Sequence, residues 1–164
     1  MSKKYFIVFL SFLLLLSMTL SACTHDYSQD EGYQSFFLNT DTVDDKEIKN
    51  MIIDMFVKYN DENFMGYIDH FNWERTEKRQ YVQSEKEMPT RQTYEIKHLS
   101  TVLMLNDDTR AQAGVTVVCT IRDRDSGETQ MTYQCDIIFT LEKQDGEWIV
   151  TQQETDGESY DYLS

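Results

Sequence analysis

The chain has 164 residues with 15 Lys and Arg against 29 Asp and Glu, a net charge of −14, and hydrophobic residues make up 40% of it. So acidic a surface repels phosphate backbones and anionic lipid head groups, which sets aside nucleic-acid binding and charge-driven membrane docking. One Pro and six Gly exclude a linker-rich or low-complexity chain, and the length suits one domain with short appendages.

In chain order, Lys3 and Lys4 precede an apolar run from Tyr5 to Leu20. As a helix those residues reach about 24 Å, short of the roughly 30 Å hydrocarbon core, so the run predicts an export signal over 1–22. Leu20-Ser21-Ala22-Cys23 follows. This tetrapeptide, with the charged start and the apolar run, resembles the lipobox of bacterial lipoproteins. The resemblance implies cleavage between Ala22 and Cys23, diacylglycerol and palmitate on Cys23, and anchoring on the outer face of the cytoplasmic membrane of a Gram-positive type of cell. Two acyl chains hold stably where one is marginal. A plain cleaved signal and an uncleaved anchor helix are the competing readings.

Residues 23–41 form the lipidated N-terminus and a polar stretch carrying Phe36, Phe37 and Leu38. Two readings stay open: a tether, or a segment docked on the domain through those apolar residues. The domain is expected over 42–156, with an acidic tail over 157–164. Thr42 is a helix cap with Asp45 placed to answer it. Ile48, Met51, Ile52, Met55, Phe56 and Tyr59 then recur at helical spacing, predicting a helix over 43–59 with Lys46, Lys49, Asn50, Asp54 and Lys58 on the opposite face. Asp61 is the expected cap of a short second helix with Phe64, Tyr67, Ile68 and Phe71. A charged, mostly exposed third helix is expected to end at Pro89.

After Pro89 the period changes to two. Strands are expected over 94–105, 111–122, 131–141 and 147–153, joined by turns at Asn106, at Ser126-Gly127 and at Asp145-Gly146, the last a favoured two-residue hairpin turn. Helices first and a meander of four long antiparallel strands after them give an α+β fold with the helices on one face of a curved sheet. The terminal hairpin, Phe139-Thr140-Leu141-Glu142-Lys143, then Asp145-Gly146, then Trp148-Ile149-Val150, resembles the NTF2-like superfamily, which includes SnoaL-like and ketosteroid-isomerase-like proteins. A cystatin-like roll is the nearest rival. The resemblance implies a cone whose helices close the concave side of the sheet around an apolar pocket. Phe56, Tyr59, Phe64, Tyr94, Tyr133, Phe139 and Trp148 are its candidate lining.

Chemistry-bearing residues are sparse. Cys119 and Cys135 both fall on odd-numbered, apolar strand faces. A hairpin register summing to 254 sets them opposite each other and allows a disulfide, whereas a sum of 252 offsets them by two residues and leaves two buried thiols. The segment from Asp123 to Gly127 lacks the calcium-loop pattern, with Gly in fifth place and Gln134 where the twelfth-position acid belongs. His25, His70 and His98 are the only histidines, and no Ser/His/Asp set, metal motif or cofactor motif is visible. The expectation is a non-catalytic, membrane-anchored binding or interaction module of the cell envelope, with no cofactor and no metal. A small-molecule binder using the cone is the second reading and an isomerase-like enzyme the third. Possible partners are an envelope protein and a second copy docked through the outer sheet face at Thr116, Val118, Thr120, Thr132, Gln134, Ile138 and Thr140.

Overall fold

The computed structural model describes residues 25–40, 42–103 and 109–156. The segment that resembles a lipobox, with Cys23, the expected turn at Asn106 and the tail 157–164 lie outside the described residues.

Helix α1 spans Val43–Asn60. Thr42 begins it in extended backbone, and its hydroxyl accepts the Asp45 N–H at 3.0 Å, satisfying one of the donors that a helix start leaves free. The expected reply from Asp45 is absent, because that carboxylate turns into the protein instead. The stripe Ile48, Met51, Ile52, Met55, Phe56 and Tyr59 is buried, as the spacing predicted. Each such side chain contributes about 1.5–3 kcal/mol relative to exposure. Lys49, expected on the solvent side, is buried too, and its partner is Asp45.

Helix α2, Phe64–Ile68, is capped by Asn63 rather than Asp61: the Asn63 Oδ1 accepts the Gly66 N–H at 3.1 Å. Asp61 instead closes α1, its N–H directed to the Val57 and Tyr59 carbonyls. The cap also explains the glycine within α2. A Cβ at Gly66 would stand 2.6 Å from the Asn63 amide nitrogen. Helix α3, Arg75–Glu87, begins with a box in which Glu74 and Glu77 cap each other's backbone, and stops before Pro89 as expected. Only Lys78, Tyr81, Val82 and Glu85 of α3 are partly buried, at the spacing of one helical face.

The strands are β1 (Thr90–Leu103), β2 (Arg110–Asp123), β3 (Thr129–Gln144) and β4 (Glu147–Asp156), paired antiparallel in the order β1-β2-β3-β4. Asp145 and Gly146 both have positive φ, which the tight hairpin turn requires. The inner face carries Ala111, Ala113, Val115, Val117 and Cys119 from β2 and Cys135, Ile137, Phe139 and Leu141 from β3, all buried. Two register shifts change which residues face inward. In β1 the shift between Ile96 and His98 moves the inward set from Tyr94 and Ile96 to Leu99. In β4 Trp148 and Val150 are buried, and a shift beside Thr151 sets Gln153 opposite the inward Phe139. A bulge adds one residue and so exchanges the two faces of everything beyond it. The free edge of β4 is covered where Phe71 bridges Val150: Val150 N–H donates to the His70 carbonyl at 2.8 Å and Asn72 N–H to the Val150 carbonyl at 3.0 Å.

Residues 25–40 correct the tether reading, since they lie on the domain. They form two short 3-10 turns, Tyr27–Gln29 and Gln34–Phe37. Tyr27 is buried on α1, its N–H on Asn50 Oδ1 at 2.9 Å and its hydroxyl on Asp54 Oδ1 at 3.2 Å. Phe36 and Phe37 pack half-buried against the core, and Leu38 projects into solvent.

Candidate functional site

A cavity of about 450 Å³ opens at the C-terminal end of α1, between the helices and the ends of β1 and β4. Each wall comes from a different element. Helix α1 supplies Tyr59, α2 Tyr67, and the segment after it Phe71 and Trp73; α3 contributes Tyr81 and Glu85 from one face, β1 Gln92 and Tyr94, and β4 Gln153. Asn60 fixes Tyr94 by pairing with both of its backbone groups, Nδ2 to the carbonyl at 2.8 Å and Oδ1 from the N–H at 2.7 Å. The β4 bulge turns Gln153 inward, where its Oε1 lies 3.4 Å from the Tyr67 hydroxyl.

Three ring pairs meet nearly at right angles, and a fourth, Tyr67 with Tyr81, is stacked at 6.1 Å with planes 30° apart. Tyr59 stands edge-on to Tyr67 at 5.2 Å between centroids and to Tyr94 at 5.1 Å, and Trp73 edge-on to Tyr81 at 5.7 Å. Such edge-to-face packing satisfies the ring quadrupoles and makes corners rather than a flat stack. The Tyr59 hydroxyl donates to Glu85 Oε2 at 2.8 Å, and the Tyr94 hydroxyl to Gln92 Oε1 at 2.8 Å. Burial pushes the phenols of Tyr59, Tyr67, Tyr81 and Tyr94 far above the ordinary tyrosine value, with neighbouring tyrosines and Glu85 adding to it. They are neutral donors across the physiological range. Glu85 is the only acidic or basic side chain on these walls, and it has no cationic partner among the described residues.

A second cavity, about 440 Å³, lies at the N-terminal end of α1 against β1. It is polar. Buried Lys49 reaches Asp45 Oδ2 at 3.1 Å and Thr40 Oγ1 at 3.1 Å, while the Thr101 hydroxyl donates to Asp45 Oδ1. His98 sits at its exposed rim. A third polar group joins neither cavity: Asp54 on α1 receives Lys58, His70 and Tyr27 together.

Of the seven lining residues expected from sequence, Tyr59 and Tyr94 line the aromatic cavity. Phe56 and Phe139 fill the core between them and the sheet, with ring centroids 6.3 Å apart. Phe64 backs Tyr59, Tyr133 sits beside Cys119 in the sheet, and Trp148 is buried under Lys143. Tyr67, Trp73, Tyr81 and Glu85 were not foreseen as a group. Their signal was present in α3, where Tyr81 and Glu85 are four residues apart on one helical face. The cysteine register sums to 252: Cys119 faces Tyr133 and Cys135 faces Val117, so the disulfide alternative is replaced by two free, buried thiols. The bulge in β3 at the Ser126-Gly127 end sets that offset. Among the described residues no group of His, Cys, Asp or Glu could hold a metal ion.

No family model and no curated protein matches the chain. Solved structures do. A candidate aromatic ring hydroxylase from Novosphingobium aromaticivorans superposes with a TM-score of 0.59 at 12% identity, covering 71% of this chain and 90% of that one. A candidate scytalone dehydratase from the same organism gives 0.58 at 14% identity over 73% and 87%. ActVI-ORFA from Streptomyces coelicolor gives 0.53 at 13% identity over 66% and 93%. These neighbours correct the non-catalytic expectation. Their fold is borne by proteins named as enzymes, so the missing sequence motif does not set this chain apart as a binding-only module. At such identities the likeness establishes the fold alone: the chain shares with these structures an α+β cone, helices packed on a curved four-stranded antiparallel sheet.

Proposed function

We propose that the chain is an exported, lipid-anchored domain that binds a small organic molecule in the tyrosine-lined cavity. Any proton exchanged with that molecule passes through Glu85. The observation that carries this reading is a single carboxylate, hydrogen-bonded by Tyr59, on the wall of a cavity of ligand size that aromatic rings share with the polar side chains Gln92, Thr151, Gln152 and Gln153. An apolar body held by ring faces, with a few polar groups fixing its orientation, is the usual make-up of a small-molecule site. The tyrosines supply donors, and Glu85 supplies the one carboxylate among the lining residues, placed to accept a hydrogen bond or a proton from the bound molecule. The dehydratase and hydroxylase names of the fold neighbours agree with small organic substrates.

The anchoring half rests on Lys3, Lys4, the apolar run and Leu20-Ser21-Ala22-Cys23. Metabolic labelling with palmitate tests it: label enters the wild type and not Cys23→Ala, and equal labelling of the two overturns it. For the cavity, an NMR screen of small aromatic and carbonyl compounds is expected to shift the resonances of Tyr59, Trp73, Tyr81, Glu85 and Tyr94 together. Shifts confined to the polar cavity around Lys49 and Asp45 would move the site to the other end of α1.

A further inference from the structure

We propose that the molecule held in the aromatic cavity is an organic cation, of the alkylated-ammonium class. This rests on the reading of that cavity as a small-molecule site and specifies its charge. The first observation is the wall itself. Tyr59, Tyr67, Tyr81 and Tyr94 contribute rings from four separate elements and Trp73 one from the segment before α3; Tyr59 meets Tyr67 and Tyr94, and Trp73 meets Tyr81, at 71–79°, while Tyr67 and Tyr81 lie stacked with planes 30° apart. The perpendicular pairs make corners, and a cation held between them would meet ring faces on the sides not taken by a neighbour's edge. An ammonium within about 6 Å of such faces is attracted by their quadrupoles, and more strongly when water is excluded.

The second observation is independent of the rings. Glu85 is partly buried among them, its carboxylate hydrogen-bonded by the Tyr59 and Tyr81 phenols, with Arg124 on its backbone carbonyl and no Lys, Arg or His among the cavity's lining residues. Three other partly buried or buried carboxylates have cations, Asp45 with Lys49, Asp54 with Lys58 and His70, and Glu62 with Arg124, whereas Asp123 is met by the Ser126 hydroxyl and by backbone N–H groups of its own turn. Glu85 lacks a cation, and a bound ammonium would supply it. An anionic ligand would meet this carboxylate with no positive group to offset the repulsion. A neutral ligand would leave the charge unneutralised. The net charge of −14 adds attraction at longer range, raising the local concentration of cations.

The test uses a pair of probes alike in shape and different in charge, (3-hydroxyphenyl)trimethylammonium and 3-tert-butylphenol, titrated at constant ionic strength into the purified protein. Binding is read from the NMR shifts of the Trp73 indole and the Tyr81 and Tyr94 rings. The expected result is saturable binding of the ammonium at least about tenfold tighter than its neutral counterpart. In Glu85→Gln that preference falls by fivefold or more, while Trp73→Leu weakens both probes. Equal binding of the two, or a preference unchanged in Glu85→Gln, overturns the cation assignment and leaves the small-molecule site standing. Failure of both probes to perturb these residues overturns the two together. Circular dichroism and denaturant midpoints confirm that each variant is folded.

Discussion

At the N-terminal end of α1, Lys49 and Asp45 lie buried side by side, and Thr40 and Thr101 take up further hydrogen bonds of the pair. At the C-terminal end, one turn beyond the last buried aliphatic residues, Glu85 faces a group of rings with phenols, and no ammonium or guanidinium, on its carboxylate among the described residues. The same helix thus borders a polar cavity whose charges are answered within the fold and an aromatic cavity whose charge is not. The difference separates structure from function. A buried charge with a partner holds the fold to one arrangement, whereas a charge left without one is available to a ligand.

Breaking the pair at the first end should have the largest effect. Asp45→Ala strands the Lys49 ammonium in the interior and is expected to cost about 3–5 kcal/mol in urea unfolding. The double change Asp45→Asn with Lys49→Met should recover most of that, because it removes both charges at once. A recovery no better than Asp45→Ala would show that the site depends on the ionic pair itself.

Acid should act next, and between the two ends. Burial works against the Asp54 carboxylate, but hydrogen bonds from His70 and Lys58 prevail and hold it at about 2, below its ordinary 3.8. A folded-state value below the unfolded one contributes stability that is full above about pH 5 and is lost as pH falls through 4 toward 2. The loss is about 2 kcal/mol, and Asp54→Asn should remove most of that part of the pH dependence. Because Tyr27 donates to the same carboxylate, amide exchange in residues 25–30 should rise over the same range.

Loss of the Thr42 cap is smaller: Thr42→Ala is expected to cost about 1 kcal/mol, with the midpoint moved and the denaturant slope unchanged. Smallest of all is Glu85→Gln, which should alter stability by less than about 0.5 kcal/mol, since glutamine can still accept from Tyr59. If Glu85→Gln instead destabilised the protein as much as Asp45→Ala, the carboxylate would be a structural group and the contrast between the two ends would collapse.

Much of the fold was legible because its determinants are local. The stripe from Ile48 to Tyr59, the Thr42 cap, the Asp145-Gly146 turn and the alternation in β2 and β3 each declare themselves within a few residues, and the structure has them where their spacing predicted. The site was legible only in part. Tyr59 and Tyr94 were foreseen because they sit on regular apolar faces. Gln153 was not, because a bulge beside Thr151 reverses the alternation that places Trp148 and Val150 inside. Lys49 was misplaced for a similar reason, since a helical face does not reveal that Asp45 will turn inward to meet it.

By itself, then, the sequence determined the order of elements, the paired faces of the central strands and the acidic surface, because period, capping and composition act over short stretches of chain. Only the tertiary structure decided the cysteine register, the docking of residues 25–40, and the meeting of Tyr59, Tyr67, Tyr81, Tyr94 and Glu85 around one cavity. Those outcomes depend on bulges and on contacts between residues distant in the chain. A shift of one residue exchanges the faces of a strand, and no local pattern records where such a shift occurs.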